Sequence, residues 1–292
     1  MKFIFSKLGV NKKVDDSIVE LIREAMGMDR TFDWIATRTD SIYKSTFFSA
    51  YLYDDIVVCV NFFTPFEFIS NHDIILAHQS GFSATKVSFK GKGLWPALMR
   101  ESERELVLLK SCFIFGFPNS ISTPVFTKKL GYIVNYFKID IFNLHLMIIC
   151  KHLSTLFTRP NYLSNNYDCD YEEIKKWHTR QNGHDFIYEK VSLNAKLWGK
   201  IKIKNFMIFK ISFLEIGGYQ AATDNELRNL MISCMSENKV SFAVQVSSID
   251  NILSSMRLFK LKYNQPFIYK FITSKITSLN NIFFGGSNRD VF

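Results

Sequence analysis

Lys90-Gly91-Lys92-Gly93-Leu94-Trp95 joins a run of strand character to a run of helix character, and this seam constrains the fold more than any other stretch. Ile74-Ile75-Leu76-Ala77 opens the first run, which reads as a strand to about Val87. Leu98, Met99, Leu106 and Leu109 then fall near helical spacing, to about Lys110. Two glycines at such a seam let the backbone approach a ligand closely. The first turn of the helix adds unpaired N–H groups and the positive end of the macrodipole. Strand, glycine turn and helix N-terminus together make a phosphate-binding arrangement. A plain tight turn uses the same Gly-x-Gly spacing, so the residues downstream of it decide between the two.

After the helix comes Cys112-Phe113-Ile114-Phe115-Gly116-Phe117, an apolar run bounded by Pro118-Asn119, which predicts a buried strand. A short helix fits Thr123 to Leu130, and Gly131 stands where a C-cap glycine would. Tyr132 to Phe142 alternates loosely as a further strand. This order, with a basic glycine turn and a short helix ending in Leu130-Gly131-Tyr132, resembles the GNAT acyl-CoA transferase superfamily over roughly residues 15 to 142. The family's Gln/Arg-x-x-Gly-x-Gly/Ala loop falls on Lys90, Gly93 and Trp95, and Leu-Gly-Tyr stands where Leu-Gly-Phe is common.

The chain departs from that pattern in three places. Lys90 replaces Gln or Arg and keeps a donor. Trp95 replaces a small residue, so its ring must point away from a phosphate or cover the pantetheine arm. Thr127 stands where many members carry a tyrosine general acid, and a threonine hydroxyl is too weak an acid for that task.

The 292 residues suffice for one large or two ordinary domains, and 47% apolar content with 29 phenylalanines can fill their cores. The carboxy-terminal half reads as a degraded copy of the first. Phe32 to Arg38 is echoed by Lys176 to Arg180, and Glu103 to Ile114 by Glu226 to Val246. Phe126 to Tyr132 is echoed by Arg257 to Tyr263. Paired strand-like runs, Thr46 to Tyr53 with Ile56 to Phe63, recur as Asp185 to Val191 with Lys196 to Ile203. The copy lacks a basic Gly-x-Gly turn; Ile216 to Asp224 stands in its place, with Asp224 reading as an N-cap. The expected fold is therefore α/β: two tandem GNAT-like domains, each a mixed, mostly antiparallel sheet flanked by helices, the second degenerate. Residues 1–150 form the acyl-CoA domain and 151–292 the copy, which contributes to acceptor binding or assembly.

The formal charge of +9 favours anionic partners. The lysines are scattered, with no arginine block or zinc-finger spacing, which speaks against nucleic acid and for coenzyme A and a nucleotide-linked small molecule. Five cysteines without a Cys-x-x-Cys pair, most of them single in apolar runs, suit reduced thiols and the cytoplasm, with no metal site. The longest apolar stretch, Ile139 to Phe157, is interrupted by Asp140, His145, Lys151 and His152, so no transmembrane segment is expected. A homo-oligomer is compatible with the sequence.

The resemblance implies an N-acyltransferase in which an amine attacks acyl-CoA directly, without an acyl-enzyme and without a metal. Thr85, Lys90, Gly91, Lys92, Gly93, Leu94, Trp95 and Asn119 are the cofactor-binding candidates. The catalytic base is Glu67, placed after the third strand, or His78, placed in the strand beside the thioester, or a water linked to either. The acceptor that the resemblance suggests is a nucleotide-linked amino sugar of surface-polysaccharide biosynthesis. An amino acid, a polyamine, a peptide amine and a non-catalytic coenzyme-A-binding role are the alternatives.

Overall fold

The computed structural model describes residues 1–27, 31–39, 46–70, 73–148, 188–192, 195–206, 209–221, 224–247 and 258–279. Trp177, His178, Arg180, His184, the 161–170 stretch and the tail from Gly285 lie outside these residues. The chain divides into two compact units. Unit 1 comprises Met1–Asn135 and Gln265–Leu279, and unit 2 comprises Tyr136–Asn264 and Asn280–Phe292.

In unit 1, strand β1 (Lys2–Lys7) precedes helices α1 (Lys12–Met26) and α2 (Phe32–Thr39). Strands β2 (Phe47–Tyr53), β3 (Ile56–Ser70) and β4 (Asp73–Thr85) come next. After a 3-10 turn at Val87–Phe89 come α3 (Leu94–Leu108), β5 (Phe113–Gly116) and α4 (Thr123–Leu130). Strands β1 to β4 pair antiparallel in sequence order. Strand β5 joins β4 in parallel, from Ala77↔Phe113 to Ser80↔Gly116. The crossover between them is α3, as a parallel pair requires.

Helix α1 shows how local sequence sets one face. Asn11 Oδ1 accepts from Lys13 N and Val14 N at 3.1 and 3.3 Å, and Gly27 closes the helix at φ 65°. Val14, Ile18, Leu21 and Ile22 fall on one stripe and are buried against Phe48, Ala50, Val60, Phe62 and Ala84. Each side chain buried in this way contributes about 1.5–3 kcal/mol. On the other face, α3 buries Leu98, Met99 and Leu106. The Ser102 hydroxyl donates to Leu98 O and accepts from the Ser49 hydroxyl, both at 2.7 Å, so a buried polar residue registers α3 on β2.

Strand β6 (Ile133–Asn143) leads into unit 2, where β7 (Tyr188–Ser192), β8 (Ala195–Phe206) and β9 (Phe209–Ala221) form an antiparallel run. Helix α5 (Asp224–Glu237) then leads to β10 (Phe242–Ser247), which is parallel to β9. Three antiparallel strands, a helix and a parallel strand therefore occur in both units. The chain finishes the two units by exchange. Strand β6, which comes after α4, pairs antiparallel with β10 in unit 2. Strand β11 (Phe259–Phe271), at the end of the order, pairs antiparallel with β5 in unit 1, from Ile268↔Gly116 to Phe271↔Phe113. A single division at residue 150 does not describe this return of residues 265–279.

The sequence copy also needs adjusting. Phe259 to Tyr263, read as an echo of α4, is strand, because β11 begins there. Its alternation in Phe259-Lys260-Leu261-Lys262-Tyr263 suits the pleat better than a helix. Glu67, expected after the third strand, lies inside β3 opposite Leu76. Pro65 does not end β3, which pairs on with β4 at Pro65↔His78 and continues to Ser70↔Asp73.

Candidate functional site: an uncapped helix at the end of an open strand edge

Strand β4 outlasts β5. Its pairing with β5 ends at Ser80↔Gly116, while β4 itself continues to Thr85. Among the described residues, no strand pairs with the β5-facing edge of β4 over residues 81–85. Gly116 marks the parting point. A Cβ there would stand 3.0 Å from the Ser80 carbonyl oxygen, so glycine lets β5 end this close to β4 without pushing the strands apart.

Beyond that point β4 carries a bulge. Val60 pairs with Ala84 and Phe62 with Gly81, so Asn61 alone opposes two residues, Phe82 and Ser83. Phe82 takes φ 48°, a left-handed conformation unusual for a bulky residue. Asn61 is fully buried and holds the bulge: its Oδ1 accepts from Ser80 Oγ at 3.3 Å and from Ser83 Oγ, and its Nδ2 donates to Phe62 O at 3.0 Å. The sequence reading missed this cluster. An Asn in the apolar run Val57-Val58-Cys59-Val60-Asn61-Phe62-Phe63 was the available signal.

The edge leads directly to the glycine turn. Gly91 and Gly93 have φ 77° and 74°, and Gly93 is the N-cap of α3 with no side-chain capping bond. Ala97 N returns to Gly93 O at 3.3 Å, while Pro96 carries no N–H. The N–H groups of Gly91, Lys92, Gly93, Leu94 and Trp95 have no hydrogen-bond partner among the described residues. The turn borders a cavity of about 220 Å³ lined by Thr85, Phe89, Lys90, Gly91, Gly93, Leu94, Trp95, Pro96, Val125 and Lys129. No lining residue is acidic. Lysine charge and helix dipole act here with the same sign.

Six of the eight cofactor candidates thus line one cavity: Thr85, Lys90, Gly91, Gly93, Leu94 and Trp95. Phe89, Pro96, Val125 and Lys129 join them from positions the sequence reading did not select. Lys92 is exposed and lies over the Phe89 ring at 4.8 Å instead. Asn119 is committed to the start of α4. Its Oδ1 accepts from Ile121 N, Ser122 N and Ser122 Oγ at 2.9–3.0 Å, and its carbonyl accepts from Thr123 N at 3.0 Å. Trp95 is half-buried and packs edge-on against Phe126, ring centroids 4.8 Å apart at 87°, so the large residue turns toward α4 and walls the cavity. Thr127 bonds back to Thr123 O at 3.1 Å, which leaves its hydroxyl engaged with its own helix.

The two base candidates differ in setting. Glu67 is half-buried in β3. His78 is 1% exposed, with Nδ1 3.0 Å from Ser111 Oγ, which also donates to Phe113 O at 3.2 Å. His78 and Ser80 share one face of β4. Beneath Thr85 lies Cys59, its Sγ 3.3 Å from Thr85 Oγ1; burial pushes this thiol up to about 11, against a smaller downward pull from Thr85. Among the described residues, no group of three His, Cys, Asp or Glu is placed to hold a metal, and no helix is long and apolar enough to cross a membrane.

No family model matches the sequence, and no curated protein matches it either. Solved structures do match by shape. A GCN5-related N-acetyltransferase from Anabaena variabilis aligns with TM-score 0.65 and 11% identity over 93% of this chain and 73% of that one. A GCN5-related N-acetyltransferase from Kribbella flavida gives 0.62 and 10% over 93% and 72%. A conserved protein of unknown function from Enterococcus faecalis, described as a probable N-acyltransferase, gives 0.57 and 14% over 93% and 73%. With the open β4 edge and the uncapped α3 already in place, these likenesses identify the fold: the chain is built as a GCN5-related N-acetyltransferase is built.

Proposed function

We propose that this chain transfers an acyl group from acyl-CoA to an amine. The observation that carries the reading is the uncapped N-terminus of α3, with its free N–H groups and lysines, at the end of the unpaired β4 edge. The N–H groups from Gly91 to Trp95 bind the pyrophosphate, with Lys90 and Lys129 beside it. The open edge from Gly81 to Thr85 pairs with the pantetheine amides as an added strand would. The five steps of strand from Thr85 to Ser80 span roughly 16 Å. That run sets the thioester near the Ser80–Gly116 parting point. There the amine nitrogen bonds to the carbonyl carbon, the C–S bond breaks, the amine loses a proton and the thiolate takes one up.

Glu67 and His78 remain the proposed bases. His78 stands two residues from Ser80, about 7 Å along the strand. Glu67 pairs with Leu76, four residues from Ser80 and so about 13 Å away, a distance that needs intervening water. The finer proposal is a tandem arrangement whose acceptor is a nucleotide-linked amino sugar. Supporting it are the repeated strand–helix succession, the absence of a lysine–glycine turn before α5, and the +9 charge, which attracts a nucleotide and repels a polyamine. The test is release of free thiol from acetyl-CoA and longer acyl-CoAs against panels of nucleotide-sugar amines, amino acids and peptides. Turnover restricted to amino acids replaces the sugar assignment. No thiol release with any pair, and no thermal shift with any acyl-CoA, removes the reading altogether.

A further inference from the structure

Strand β4 changes phase between its two ends. Cys112 N donates to Leu76 O at 2.7 Å, and the Ser80 carbonyl stands beside Gly116, so Leu76 and Ser80 turn their backbone groups toward β5. At the other end Lys86 N donates to Val58 O at 2.8 Å and so turns toward β3. The N–H and C=O of one strand residue share a side, and the sides alternate along the chain. An uninterrupted strand would therefore aim Lys86 the way it aims Leu76 and Ser80. The bulge at Phe82 and Ser83 supplies the one residue that reverses the phase.

Side chains follow the same count. Ser80 pairs with Phe63 and Thr85 with Cys59, which is five steps on β4 against four on β3. Phe63 and Cys59 both pack toward α3, Phe63 in a cluster with Met99 and Leu106 and Cys59 in one with Leu98. Thr85 therefore stays on the α3 face, where it lines the cavity at the glycine turn. Without the extra residue it would fall on the α1 face. The bulge thus brings the Ser80 end and the Thr85 end of the open edge into one frame.

The bulge is held from β3. Phe82 takes φ 48°, which an aromatic residue rarely adopts by itself. Asn61 is fully buried, and its Oδ1 accepts from the Ser80 hydroxyl before the bulge at 3.3 Å and from the Ser83 hydroxyl within it. Its Nδ2 donates to Phe62 O on β3 at 3.0 Å. One amide ties both sides of the bulge to the neighbouring strand. Flattening the bulge would part Asn61 from Ser83 and weaken the only side-chain bonds that hold Phe82 in its conformation among those described.

We propose that Asn61 is a positioning residue for the acyl donor. Through Ser80 and Ser83 it fixes the bulge, and the bulge sets which backbone groups of residues 81–85 meet the pantetheine arm. The proposal rests on the acyl-CoA reading. Dephospho-coenzyme A and ADP test it, because they share the adenosine diphosphate and differ by the pantetheine arm. In isothermal titration, Asn61→Ala and Ser83→Ala should each raise Kd for dephospho-coenzyme A about five-fold or more, the worth of one neutral hydrogen bond. Kd for ADP should stay within about two-fold of the parent value, because the glycine turn is untouched. Ser83 is exposed, so Ser83→Ala leaves the core filled even where Asn61→Ala fails to fold. Ser83→Thr keeps a hydroxyl and should restore the parent's preference for the pantetheine ligand. Ser102→Ala removes a buried hydroxyl bonded to Ser49 and Leu98 O; it should lower Tm and leave both Kd values alone. An equal loss for both ligands in the Asn61 and Ser83 variants makes the cluster merely structural and overturns the proposal. So does unchanged affinity for both, or a Ser83→Thr protein no better than Ser83→Ala. A parent that binds neither ligand removes the acyl-CoA reading, and this proposal with it.

Discussion

Replacing Gly93 by alanine separates the ligand-binding use of the turn from its structural cost. Gly93 has φ 74°, and a Cβ built there meets no protein atom within 4 Å. The substitution is therefore sterically open but conformationally costly, by about 1–2 kcal/mol for a left-handed L-residue. Gly27, the C-cap of α1, supplies a matched control: φ 65°, nothing within 4 Å of its Cβ, and no place in the cavity lining. Both variants should lose the same stability, a fall in Tm of about 2–4 °C for each kcal/mol in a chain of this size. Only Gly93→Ala should affect coenzyme A. If the loop keeps its φ, the methyl projects among the cavity-lining groups. If it relaxes, the Leu94 and Trp95 N–H groups turn off the pyrophosphate. Losing one hydrogen bond to a charged group is worth about 1.5–3 kcal/mol, which is at least a tenfold rise in Kd. Isothermal titration with coenzyme A on the three proteins gives the answer. Equal Kd values for Gly93→Ala, Gly27→Ala and the parent would refute the phosphate cradle while leaving the fold untouched.

Cys59 predicts an alkaline limit to stability. Its folded pKa of about 11 lies above the ordinary thiol value of 9.0, so the folded state holds a proton that the unfolded chain releases. Its contribution is complete below pH 9 and is lost as pH rises to 11, up to about 3 kcal/mol. Denaturant titrations at pH 8 and 10.5 should show this loss, and Cys59→Ala should reduce it, the remainder coming from Tyr51 and Tyr132, which burial also pushes up. Ser111→Ala removes the partner of the His78 Nδ1 in a nearly solvent-free site and should cost about 1–3 kcal/mol, read by the same titrations. Lys270→Met removes the ammonium that meets Glu103 Oε2 at 2.7 Å and Leu130 O at 2.9 Å, and so loosens β11 from α3 and α4. A loss of about 2 kcal/mol is expected for this partly exposed pair, seen as earlier hydrogen exchange in residues 265–271. An unchanged exchange rate there would show that strand pairing alone holds β11.

The features legible in the sequence are the local ones. Helix α4 and its Gly131 cap were readable from Thr123-Pro124 at one end and Leu130-Gly131 at the other, because capping is decided within a few residues. The Gly91 and Gly93 turn was readable for the same reason. The exchange of β6 and β11 was not. Both segments alternate as strands should, but which of β5 and β10 each one pairs with depends on contacts more than a hundred residues away for β11. The bulge at Phe82 escaped for a related reason. It is a mismatch between two strands, and neither Asn61 nor Phe82 carries it alone. Asn119 shows how neighbours in the chain claim a side chain. Its position beside the expected pantetheine path suggested a ligand, while the residues that claim its side chain, Ile121 and Ser122, were two and three positions away in the sequence.

The contrast between α1 and α3 explains why the site is where it is. A helix N-terminus has a fixed number of free N–H groups, and its own chain or a ligand can satisfy them, but not both. At α1 the chain does so: Asn11 Oδ1 takes Lys13 N and Val14 N. At α3 the capping residue is glycine, which has no side chain to offer, and the two residues before it are a lysine and a second glycine. Leaving those donors unmet is tolerable only where water or an anion reaches them, and the cavity between the turn, Val125 and Lys129 provides that access. The open β4 edge applies the same logic to a strand. Among the described residues no strand continues along that edge of β4 beyond Ser80, because β5 stops at Gly116. Two kinds of backbone donor, one helical and one extended, are thus left open end to end by two glycines, Gly93 and Gly116. The proposed ligand matches both, with an anion at one end and amides along its length, as phosphopantetheine has.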